Sequence, residues 1–192
     1  MPKSLRRWLN RIRFRWLARD GGGLSFFAMF AVPIVALFSI VTFAYSGRTR
    51  GEPRRLEVVQ NRARELQCLA ENVYFEARGE PLNGQYAVAE VTINRLRSPF
   101  FPKTICGVVH DTRWDPLRRR FVAHFSWTQM EDRGEPWGPL WQQSIAVATA
   151  VINESYMPVV PDALYYHADN VQPYWANGKR SVARIGNHVF YR

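Results

Sequence analysis

The 192 residues have room for one ordinary domain with accessory segments. The formal charge of +10 suggests nucleic-acid binding, but its distribution excludes it: residues 1–23 balance at +6 and residues 48–55 at +3, leaving +1 for residues 56–192. Two cysteines, Cys68 and Cys106, have no CxxC or cysteine–histidine spacing, so no structural zinc is expected.

Residues 1–23 form a basic tail. Arg6, Arg7, Arg11, Arg13 and Arg15 interleave with Trp8, Leu9, Ile12, Phe14, Trp16 and Leu17, a pattern that fits either a helix on anionic lipid or a solvated tail. Residues 24–45 carry no charge over 22 positions. At 1.5 Å per residue that run rises roughly 33 Å, enough for a transmembrane anchor despite Pro33. A buried core helix is the bland alternative. Ala44-Tyr45-Ser46-Gly47 offers a signal-cleavage site, but the apolar run is longer than a signal-peptide core, which favours a retained anchor. Seven cations before the run and four just after it place the amino terminus in the cytoplasm and the rest of the chain in the periplasm or its extracytoplasmic equivalent. In that oxidising compartment Cys68 and Cys106 can form one bridge; two buried free thiols are the other reading.

Residues 46–55 read as a short flexible tether to a domain over 56–192. Val59, Ala63, Leu66, Ala70, Val73 and Ala77 recur at helical spacing, which predicts a helix from Leu56 to Ala77, stopped by Gly79 and Pro81. A second helix is expected over 83–96 and a third over 139–154, where Leu140, Ile145, Ala148 and Ile152 share a face. Residues 98–120, rich in proline and aromatics, read as loop. Residues 163–168 and 189–191 suit strands or extended pieces. The domain is therefore expected to be mainly α with a small β or irregular part.

Chemistry concentrates at Glu76, in the last turn of the first predicted helix. Apolar rings precede it, and a helix carboxy-terminal end carries negative partial charge. Both effects disfavour the anion and raise the pKa, as a general acid requires. A lone glutamate at a helix end is also commonly a solvated surface residue. Trp127, Trp137, Tyr166, Tyr174 and Trp175 lie in loops punctuated by glycine or proline, where they suit either packing or the apolar faces of sugar rings.

Glu71–Arg97, reading ENVYFEARGEPLNGQYAVAEVTINRLR, closely resembles the opening motif of the SleB-type cell wall hydrolases, the family that includes spore-cortex-lytic enzymes. The resemblance continues through His124-Phe125-Ser126-Trp127, returns in residues 163–176 and closes with residues 185–191. It implies a single lysozyme-like domain that cleaves peptidoglycan glycan strands, with Glu76 as the catalytic acid and no metal or other cofactor. It further implies that Tyr74, Glu80, His124, Ser126, Trp127, Tyr166, His167 and Trp175 contribute to the substrate cleft. His124 departs from the family's usual glutamine, which puts substrate affinity in question. No separate wall-binding module is expected.

A transglycosylase needs only Glu76, because the 6-hydroxyl of N-acetylmuramic acid attacks in place of water. Glu80 is expected to hold the following loop; as a second catalytic carboxylate it would instead indicate a muramidase. Two other classes remain open: a zinc amidase, for which His110, His124, His167 and His188 lack metal-binding spacing, and a non-catalytic scaffold. The expected partners are glycan strands and, through the anchor and tail, membrane lipid.

Overall fold

The computed structural model describes residues 22–192 except residue 117, with side chains described over 29–45, 53–116 and 118–192. Residues 1–21, most of the basic tail, lie outside that range. The chain divides into two units, Met1–Glu57 and Val58–Arg192.

In the first unit the described backbone belongs to one helix, α1 (Gly22–Ala77), whose remainder opens the second unit. The backbone of residues 46–55, expected as a tether, is helical. The transmembrane helix expected over 24–45 requires correction. Among the described residues no helix is long and apolar enough to cross a membrane.

The second unit is mainly helical and is organised around α2 (Leu82–Arg97). Pro81 precedes its first turn, and Ser98, held extended before Pro99, ends it. Ala87, Val88, Ala89, Glu90, Val91, Thr92 and Ile93 are all buried, so this helix is covered on every side rather than along one stripe. Each fully buried valine contributes about 1.5–3 kcal/mol by leaving water.

Its buried polar groups are paired and fix the neighbouring chain. Glu90 Oε2 accepts from the backbone N–H groups of Val159 and Val160 at 2.8 and 3.1 Å. Asn94 Nδ2 donates to the carbonyls of Val160 and Ala163. Arg95 Nε donates to the Leu164 carbonyl at 2.8 Å. These bonds deliver residues 159–164 to the start of the first strand of the carboxy-terminal sheet.

Against α2 pack α3 (Ile105–Val109) and α4 (Gly138–Ile152). Thr104 Oγ1 caps α3 by accepting from Gly107 N, and Pro139 opens α4. Cys68 on α1 and Cys106 on α3 are joined in a disulfide.

Two small sheets complete the unit. β1 (Thr112–Asp115) and β2 (Arg120–Ala123) form an antiparallel hairpin. β3 (Tyr165–Ala168), β4 (Ser181–Ile185) and β5 (His188–Tyr191) form an antiparallel sheet with β5 in the centre. The segment expected to be loop over 98–120 thus contains α3 and β1. A five-residue helix and a four-residue strand are too short to establish a period. β4 escapes the sequence pattern because it is an edge strand with three of its five residues exposed.

Candidate active site

Glu76 sits one residue before the end of α1. The second-helix bonds that place residues 159–164 bring Tyr166, on β3, to face it, and the Tyr166 hydroxyl donates to Glu76 Oε2 at 2.9 Å. Burial is the dominant influence on the carboxyl and raises its pKa; the Tyr166 hydrogen bond and the Arg95 charge pull it back in part. Burial likewise pushes the Tyr166 phenol well above its ordinary value, with the Glu76 charge adding to the rise, so Tyr166 is a donor throughout the physiological range.

Arg95 is the residue that the sequence pattern does not signal. It is only 4% exposed, and its guanidinium lies over the rings of Phe101 and Phe125, at 5.3 and 5.0 Å from their centroids. Its Nη1 is buried without a hydrogen-bond acceptor in the protein. Burial lowers its pKa, opposed by Tyr166, Tyr165, Glu76 and Asp111. A buried guanidinium of this kind supplies positive charge to Glu76 when the carboxyl has lost its proton.

Alternation along β3 separates the remaining candidates. Tyr166 shares a face with the β5 residues His188 and Phe190, whose rings lie at 5.1 and 5.6 Å. His167 takes the other face, where it stacks on Tyr191 at 5.2 Å and meets Trp175 edge-on at 5.6 Å. Its ring nitrogens are engaged by the Ala168 carbonyl and the Tyr191 hydroxyl. His167 and Trp175 therefore form a cluster of their own, on the side of the strand opposite Tyr166.

Glu80 turns to the β4–β5 connection, where it accepts from Asn187 N at 2.8 Å and Asn187 Nδ2 at 3.0 Å. His188 Nδ1 lies 3.8 Å away, and burial lowers that imidazole's pKa. Gly186, at φ +57, permits the contact: a Cβ there would lie 1.8 Å from Glu80 Oε2.

Tyr74 is buried, edge-on to Phe75 and Trp141, with Arg78 over its ring. Trp127 is also buried; its indole donates to Asn72 Oδ1 at 3.0 Å, and it stacks on Phe75. Ser126 opens a 3-10 turn and is exposed. His124 is half-buried, 3.3 Å from Asp111 and without a hydrogen bond from Nε2. Burial and Arg95 together lower its pKa to about 4, so it is neutral at pH 7. Among the described residues no group of three histidine, cysteine or acidic side chains could hold a metal ion.

Comparison with known proteins gives one consistent result. The pattern of the cell wall hydrolase family matches residues 79–191, a segment that begins three residues after Glu76. The spore cortex-lytic enzyme of Bacillus subtilis (strain 168) is 34% identical over 129 residues, covering 66% of this chain and 37% of that protein. The spore cortex-lytic enzyme of Oceanobacillus iheyensis is 32% identical over 149 residues, covering 76% of this chain and 48% of that protein. The chain thus spans between about a third and a half of the length of these curated relatives. Among solved structures, the catalytic domain of the germination-specific lytic transglycosylase SleB from Bacillus anthracis is 29% identical with a TM-score of 0.50. That match covers 67% of this chain and 93% of the domain. The catalytic domain of the Bacillus cereus SleB protein matches similarly, at 28% identity and the same TM-score.

Proposed function

The chain belongs to the cell wall hydrolase family, and on that premise we propose that it cleaves the N-acetylmuramic acid–N-acetylglucosamine bond of peptidoglycan as a lytic transglycosylase. The observation that carries this reading is a single carboxyl, Glu76, buried at a helix end, raised in pKa and oriented by the Tyr166 hydroxyl.

Protonated Glu76 gives its proton to the glycosidic oxygen as the bond from the muramic C1 breaks. Positive charge then develops on the sugar ring in an oxocarbenium-like transition state. The ring's own 6-hydroxyl attacks C1, and its proton passes to the Glu76 carboxylate, restoring the acid. The products are a 1,6-anhydro end and a free N-acetylglucosamine hydroxyl, with no water consumed. Tyr166 holds Oε2 throughout, leaving Oε1 to carry the proton. Arg95 steadies the anionic form between the two transfers. Glu80, occupied by Asn187, favours a supporting role over that of a second catalytic carboxylate.

Extracytoplasmic action is part of the same proposal, and the Cys68–Cys106 bridge supports it, since such bonds persist in oxidising compartments. The cations between Lys3 and Arg19 favour contact of the tail with anionic lipid, which salt-sensitive binding of the chain to phosphatidylglycerol vesicles tests. For the chemistry, digestion of peptidoglycan in heavy-oxygen water is decisive: transglycosylation leaves the new ends unlabelled, whereas label at the new C1 would overturn it in favour of hydrolysis.

A further inference from the structure

The β1–β2 hairpin presents its aromatic face to solvent. Trp114 and Phe121 are partners in the strand register, their ring centroids lie 5.4 Å apart, and they are 55% and 61% exposed. The other face is the one turned to the domain: Arg113 lies over the buried Phe101 ring at 5.4 Å, and Val122 is half-buried. A two-stranded ribbon is marginal by itself and usually packs its large aromatics inward. Here the largest apolar pair of the ribbon is left for something outside the fold.

The charge of the same element is equally uneven. Residues 112–123 contain Arg113, Arg118, Arg119 and Arg120 against Asp115, a balance of +3. Residues 56–192 total +1, so the rest of the domain sums to −2, within which residues 177–192 form a second cationic stretch. Asp115 Oδ1 accepts from Arg118 N at 3.1 Å, and Arg119 adopts a left-handed φ of 51°, which fixes the turn that displays the arginines.

The base of the hairpin adjoins the site. The His124 amide, directly after β2, donates to the Asp111 carbonyl, directly before β1, at 3.1 Å. The next residue, Phe125, packs against Tyr166, which holds Glu76. From that base each strand extends about 14 Å.

We infer that the β1–β2 hairpin is a second contact site for the glycan strand, with Trp114 and Phe121 stacking on sugar faces and Arg118, Arg119 and Arg120 meeting the carboxylates of the peptide stems. The inference rests on the peptidoglycan reading of the Glu76 site. Pyranose rings offer apolar C–H faces that exposed aromatics cover, and acidic stems complement the cationic balance of the hairpin. An anionic bilayer would also suit arginines and aromatics. The hairpin's base joins Glu76 through Phe125 and Tyr166, which favours the polymer cleaved at Glu76 over a bilayer as the occupant.

The test uses the full chain with Trp114→Ala/Phe121→Ala and, separately, Arg118→Gln/Arg119→Gln/Arg120→Gln. Binding to insoluble peptidoglycan is measured by co-sedimentation, and cleavage is followed on sacculi and on short soluble glycan fragments. The aromatic variant should bind sacculi at least tenfold more weakly and show a raised KM on sacculi, with kcat on short fragments unchanged, which also shows that it is folded. The arginine variant should lose affinity for strands with intact stems, lose most of its salt dependence, and match wild type on strands stripped of stems. Unchanged sacculus binding in both variants would overturn the inference, as would loss confined to phosphatidylglycerol vesicles. If the wild type binds sacculi through the hairpin yet cleaves nothing, the glycan contact stands and the catalytic reading falls. If both variants cleave sacculi like wild type, the reverse holds.

Discussion

At Glu76 two influences oppose one another: burial lifts the carboxyl, while Tyr166 and Arg95 lower it. Because the acid must be protonated to act, activity declines as pH rises through its pKa. Tyr166→Phe removes one of the lowering contacts, so the alkaline limb of the pH–rate profile should move to higher pH; Arg95→Met should move it the same way. A limb that stays in place would show that neither group touches the acid's proton affinity. Glu76→Gln should reduce cleavage about 10²–10⁴-fold. It should also stabilise the fold. Below pH 4.5 both the folded and unfolded forms hold the proton, and nothing is gained. Above it the unfolded chain ionises first, so the native glutamate loses stability as pH rises towards its raised folded value. The variant's melting temperature should therefore exceed wild type at pH 7 and match it near pH 3. The place of Glu76 between aromatics and a helix end left a solvated surface glutamate open, and the resemblance of its motif to the SleB-type hydrolases is what singled it out. Arg95 was not legible, because arginine in the middle of a helix is ordinarily exposed, and only the packing of Phe101 and Phe125 reveals its burial.

The elements that position the site are tied by a few polar contacts. Glu80 joins the start of α2 to the β4–β5 turn, so Glu80→Ala should lower stability by about 1.5–3 kcal/mol, the range for hydrogen bonds to a charged group, read by denaturant titration. Gly186→Ala adds a Cβ against the same carboxylate at a positive φ and should lower the melting temperature. If both variants melt like wild type, the turn is held by something else. Sequence periodicity located α2 and α4 to within two residues at each end, because long helices repeat their pattern several times. The hairpin and β4 were hidden for the opposite reason: each strand offers only four or five residues, several of them exposed. The separation of Tyr166 from His167 was implicit in strand alternation, yet the motif alone grouped them.

Across the whole molecule, the two units raise different questions. Uncharged composition over 24–45 predicted a membrane span, but among the described residues no helix is long and apolar enough to cross a membrane. In the second unit the Cys68–Cys106 bond closes a loop with a sequence separation of 38, so Cys68→Ser/Cys106→Ser should lower stability by about 4 kcal/mol on chain entropy, measured by urea unfolding. An unchanged midpoint would remove the bridge from the stability of the domain. The central claim is that one glutamate performs both proton transfers. The most direct test digests isolated peptidoglycan with the wild type and with Glu76→Gln, and identifies the new chain ends by mass spectrometry. The wild type should give 1,6-anhydromuramic ends and the variant about 10²–10⁴-fold fewer. Reducing muramic ends, or anhydro ends formed at the wild-type rate without Glu76, would contradict the claim.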